Sequence, residues 1–116
     1  MVTDRRLLEL QASLCRVLAN TKRLEILYAL EHGERSAGEL ARAVETTPAN
    51  LSQHLALMRQ HGLVEARREG LNVYYRLTSP VILDACRAVR EALVQNLERQ
   101  RSLLEQERLG TENLGG

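Results

Sequence analysis

The chain has 116 residues, 44% hydrophobic and 27% charged, with a net charge of +1 and neither Trp nor Phe. That length supports one domain with a modest aliphatic core, and the aliphatic bias suits packed helices better than a sandwich. No apolar run approaches the ~20 residues that span a membrane, the mixed Asp and Arg at the start exclude a signal peptide, and two distant Cys make no secreted disulfide framework. A cytoplasmic protein without membrane partners is expected.

Residues 4–19 read as a first helix, with Leu7, Leu10, Leu14, Val17 and Leu18 at helical spacing. Asn20 caps a second helix from Thr21 to about Glu31, and Gly33 ends it. Ser36, followed three residues later by Glu39, forms a capping box that opens a short third helix to Val44 or Glu45. A tight turn at 45–47 leads into a fourth helix. There Thr46 and Thr47 are N-cap candidates and Pro48 fits the first turn.

The fourth helix organises the rest. Leu51, Leu55 and Met58 form one apolar stripe. Ala49, Gln53, Ala56 and Gln60 point the other way, flanked by Asn50 and Ser52. This outward face is small, amide-rich and free of acid. Gln and Asn bond bidentately to adenine in a major groove, and Ser contacts any base. Two helices joined by a tight turn, the second with such a face, form a helix-turn-helix pattern. Solvent alone would equally explain the face on an isolated helix.

Gly62 ends this helix, and the period then changes. Two extended runs around Gly70, Leu71 and Asn72 predict a β-hairpin, with Arg67 and Arg68 near its tip. A basic hairpin beside a recognition-type helix is a wing, suited to the DNA backbone or minor groove. Ser79 and Pro80 open a last helix of about 28 residues, an unusual length, whose stripe runs through Val81, Ala85, Ala88, Val89, Ala92, Leu93 and Leu97. So long a stripe needs a partner helix, and a second copy joined through the first and last helices would supply it. The expected fold is mainly α with a small β-hairpin, in the order α-α-α-α-β-β-α. The domain spans 1–109, and the Gly-containing residues 110–116 form a disordered tail.

In order and in motif, the chain resembles the ArsR/SmtB family of bacterial metal- and stress-responsive repressors. The resemblance is carried by residues 18–27 (LANTKRLEIL), 51–55 (LSQHL), 62–64 (GLV), 68–70 (REG) and 73–77 (VYYRL). It implies a homodimeric winged helix-turn-helix whose recognition helices sit in successive major grooves of an imperfect palindromic operator, with release on inducer binding. The family's DNA contacts carry over to Asn50, Ser52, Gln53 and His54 on the helix and to Arg67 and Arg68 in the wing. His54 borders the buried stripe, so it either touches DNA or holds structure.

The family's inducer sites do not carry over. Ser36 and Gly38 occupy the Cys places of its thiol metal box. Ser79, Val81, Ala92 and Gln95 occupy the zinc-ligand places, and Tyr28 and Val94 those of the persulfide-sensing cysteines. His32, His54 and His61 lack ligand spacing, so no metal or cofactor is expected. Cys15 and Cys86, each followed by Arg, lie on the two seam helices. They form either a thiol switch for oxidants, sulfur species or As(III), or a pair of small packed hydrophobes. The alternative to a repressor is a winged-helix protein-interaction module. No catalytic constellation is present, so an enzyme is not expected.

Overall fold

The computed structural model describes residues 4–115, with side chains through 110. The elements are α1 (Arg5–Leu18), α2 (Thr21–Ala29), β1 (Arg35–Ser36), α3 (Ala37–Ala43), α4 (Pro48–Gln60), β2 (Val64–Glu69), β3 (Asn72–Leu77) and α5 (Val81–Gly115). By contacts they divide into two units, Met1–Leu83 and Asp84–Gly116. The boundary between them falls inside α5.

Each helix start has a local cause. Asp4 accepts from the Arg6 N–H at 3.0 Å, Asn20 from the Arg23 N–H at 3.0 Å and Thr47 Oγ1 from the Asn50 N–H at 3.1 Å. Ser36 and Glu39 exchange both bonds of the capping box, at 3.1 and 3.2 Å. The double bond holds the Glu39 carboxyl below its ordinary value, the Ser36 side chain contributing most. These contacts satisfy helix-end N–H groups that otherwise lack partners.

The stops are equally local. After α4, Gly62 takes φ +73°, with the Leu63 N–H on Met58 O and its own N–H on Arg59 O, both at 2.9 Å. After α3 the same motif forms on a non-glycine residue. Glu45 sits at φ +49°, the Thr46 N–H reaches Ala41 O at 3.0 Å, and the Glu45 N–H reaches Arg42 O at 3.3 Å. The turn between α3 and α4 is therefore closed by a strained residue.

Among the described residues the core lies in the first unit. Ile26, Leu27 and Leu30 of the α2 segment meet Leu40 and Val44, then Leu51, Leu55 and Met58 of α4, with Val17, Leu63, Val64 and Leu83 closing the sides. Among the described residues no buried side chain is polar or charged. The expected α4 stripe is the buried one, its three residues 2% exposed or less.

Two expectations need correction. The wing is not a bare hairpin but a three-stranded antiparallel sheet in the order β1-β3-β2. Arg35 pairs with Tyr75 and Ser36 with Tyr74. β1 has only two residues, and its strand character comes from lying against β3 rather than from its own propensity. Second, α5 runs to Gly115, past the Gly110 where a tail is expected. One Gly weakens a helix by only about 1 kcal/mol relative to Ala, and residues 111–114 contain no Pro to stop it. Gly116 lies outside the described residues. No helix among the described residues is long and apolar enough to cross a membrane.

Candidate nucleic-acid interface

With Leu51, Leu55 and Met58 turned inward, α4 has no rotational choice. Asn50, Ser52 and Gln53 are exposed, as are Ala49, Ala56 and Gln60. No residue from Pro48 to Gln60 is acidic, and Arg59 lies in the last turn. Among the described residues no side-chain hydrogen bond engages the Asn50, Ser52 or Gln53 side chains. Their donors and acceptors therefore stand open to an external partner.

His54 differs from these three. It is half-buried, and its Nδ1 lies 3.3 Å from Arg23 Nη1. A guanidinium only donates, so Nδ1 accepts and the ring proton resides on Nε2. Loss of hydration, then the nearby Arg23 and Lys22 charges, hold the ring below its ordinary pKa. Nδ1 is thus engaged inside the chain by Arg23.

The wing separates its two arginines. Successive strand residues face opposite sides. Arg67 shares a face with Glu65 and Glu69, across from Tyr74 and Arg76. Its guanidinium grips Glu34 at 2.6 and 3.1 Å, reaches Glu69 at 2.6 Å, and lies 4.7 Å from the Tyr74 ring centroid. Beside it Arg76 bonds Glu65 at 2.7 and 2.9 Å. The hydrogen bonds to Glu34 and then Glu69 raise the Arg67 pKa still further, and the reciprocal bond lowers that of Glu34. Three carboxylates on two guanidiniums leave this face without spare positive charge. Arg68, on the opposite face, is exposed and engages no charged partner among the described residues. The tip is a two-residue turn in which Gly70 takes φ +61°, and it presents Leu71 at 99% exposure.

Glu34 was hidden from the sequence reading, since it lies 33 residues from the arginine it holds. Arg23 follows Lys22 just after the Asn20 cap, and nothing local points it at His54.

The candidate thiols fall in different units. Cys15 is exposed, Cys86 is half-buried, and neither is in a disulfide. The Arg16 guanidinium bonds Ser13 Oγ at 3.0 Å rather than lying over Cys15, because neighbours at i and i+1 on a helix do not face each other. Arg87 pairs with Asp84 at 3.8 Å. Among the described residues no three His, Cys, Asp or Glu side chains converge as a metal site would require.

A short helix, a tight turn, an exposed recognition-type helix and a three-stranded wing define a winged helix-turn-helix protein. The family model described as "Bacterial regulatory protein, arsR family" matches residues 20–66. An HTH-type transcriptional regulator of Mycobacterium tuberculosis, Rv0081, is 35% identical over 105 residues, spanning 90% of this chain and 92% of that one. Its crystal structure superposes with a TM-score of 0.74, over 81% of this chain and 95% of that chain. The arsenical resistance operon repressor of Escherichia coli is 36% identical, covering 78% and 87% respectively. The Vibrio cholerae transcriptional activator HlyU is 46% identical over a shorter stretch, 57% of this chain and 61% of that one. A homodimeric winged helix-turn-helix DNA-binding domain from Mycobacterium bovis, 35% identical, gives a TM-score of 0.73 over 84% of this chain and 93% of its own. This chain belongs to the ArsR family of bacterial regulatory proteins.

Proposed function

We propose that two copies of this chain form a sequence-specific DNA-binding transcriptional repressor, with α4 of each copy in a major groove of an imperfect palindromic operator. One observation carries the reading. The α4 face opposite a fully buried stripe offers Asn50, Ser52 and Gln53 with their hydrogen-bonding groups unspent and no acid to repel phosphate. Arg68 adds a phosphate contact from the wing, while Arg67 serves the wing's own structure. The M. bovis relative is described as a homodimer. Here Leu7 and Leu10 of α1 and Val89, Leu93 and Leu97 of α5 are each at least half exposed. These apolar faces are what a second copy covers.

The inducer arm of the proposal rests on Cys15 and Cys86. Exposure makes Cys15 open to oxidants, polysulfide or arsenite, and its thiolate is the reacting form. The whole reading is tested by selecting duplexes from a randomised pool and titrating the best one. Light scattering should give a dimer, and Gln53→Ala should lose preference at one base pair per half-site. A monomer that ignores every duplex points to a protein-docking module instead. Unchanged operator affinity after each reagent, in wild type and Cys86→Ser, removes the thiol arm alone.

A further inference from the structure

Arg23 touches three helices. Its backbone N–H donates to the Asn20 cap that starts α2, its Nε donates to Val17 O near the end of α1 at 2.5 Å, and its Nη1 reaches His54 Nδ1 on α4 at 3.3 Å. Val17 is buried, and both Arg23 and His54 are half-buried. The guanidinium thus sits in the angle between α1 and α4, with one nitrogen committed to each.

The charges around His54 are one-sided. Arg23 and Lys22 both face it from α2, and both act to keep the ring neutral. Lys22 is itself held by Val44 O at 2.5 Å and by Glu25 at 3.3 Å. Among the described residues no carboxylate bonds the imidazole in compensation. Protonation would place an N–H on Nδ1, turning donor against donor and cation against cation. The contact therefore exists only while the ring is neutral.

We propose that Arg23 is a positioning residue for the recognition helix, seating α4 against the end of α1 through His54, and that acid releases this seat. The proposal rests on the α4 reading above and deepens it. It makes operator binding depend on a group that turns away from the groove. It also gives α1, a helix with an exposed apolar face, a bonded route to the helix that reads bases.

The test uses the full chain and the duplex recovered from the randomised pool, from about pH 7.5 down to about pH 5, a range carried below that of free imidazole because lost hydration and the Arg23 and Lys22 charges hold this ring lower. Asn places its Oδ1 where the His Nδ1 stands, accepts from Arg23 and does not titrate. Wild type should lose affinity about fivefold or more on acidification, the scale of ordinary coupling between sites. His54→Asn, whatever its affinity at neutral pH, should show little of that acid loss, read as the ratio of its own affinities at the two pH values. His54→Leu and Arg23→Gln should each bind more weakly at neutral pH, and the double variant no more weakly than the worse single. If Arg23→Gln fails to fold, the His54→Asn pH profile decides by itself. A His54→Asn variant as acid-sensitive as wild type, or a wild type whose affinity does not fall in acid, overturns the proposal. A wild type that binds no duplex at any pH overturns the repressor reading instead, which separates the two failures.

Discussion

The outward face of α4 and the outer face of the wing are both polar and both exposed, yet they are built on opposite plans. On the wing, Arg67 and Arg76 are bonded to Glu34, Glu65 and Glu69. On α4, no side-chain hydrogen bond among the described residues holds Asn50, Ser52 or Gln53. Polar groups whose bonds close within the molecule shape it, and those left open await something else. Counting arginines in a loop does not distinguish the two, whereas following their hydrogen bonds does.

The sharpest break of this contrast is at Gln53. Its replacement by Ala should remove about 1–3 kcal/mol of base discrimination, read by anisotropy titration against the selected duplex and single-base variants. An equal loss on every sequence would mean that α4 holds backbone rather than bases. Next come the two wing arginines. Arg68→Ala should weaken binding to all duplexes and flatten the plot of log affinity against log salt by about one unit. Arg67→Ala should leave that slope unchanged. Equal slopes for the two variants would erase the distinction between them.

A smaller effect is expected at the turn before α4. Glu45 holds a left-handed backbone that costs a non-glycine residue about 1–2 kcal/mol. Glycine there regains most of this, less what its freer unfolded chain costs. Glu45→Gly should therefore raise stability by about 0.5–1 kcal/mol in urea melts. The smallest effect concerns acid. Glu34 is held below its ordinary 4.5 by Arg67, so its contribution is complete above that value and fades as pH falls through the lowered one. In Arg67→Ala this part of the acid dependence should vanish. His54 has the opposite charge type and the same sign of dependence. Its neutral form is favoured on folding, so stability should decline as pH falls below its ordinary 6.5 and level off below the lowered value. A pH-independent melt across both ranges would contradict the two assignments together.

What the sequence made legible was local. The Ser36–Glu39 box, Thr47 with Pro48, and Gly62 all lie within a few residues of the bonds they make, and each marks a boundary that the structure keeps. The buried side of α4 follows from spacing alone, and that fixes which residues face outward. What escaped was non-local. β1 owes its existence to Tyr74 and Tyr75, nearly forty residues on. The role of Arg67 was decided by Glu34, and one nitrogen of His54 by Arg23. No periodicity or propensity carries those pairings, since each is set by the chain folding back on itself.

Ser36 belongs to two structures at once. It pairs with Tyr74 as the end of β1, and its hydroxyl caps α3. With no spacer between sheet and helix, the wing has no slack of its own. It cannot swing toward a duplex without dragging α3, and Glu45 passes that pull to α4. Fingertip and palm must arrive together, so a lesion in the wing's outer clamp should be felt as a misaimed grip rather than as a missing contact.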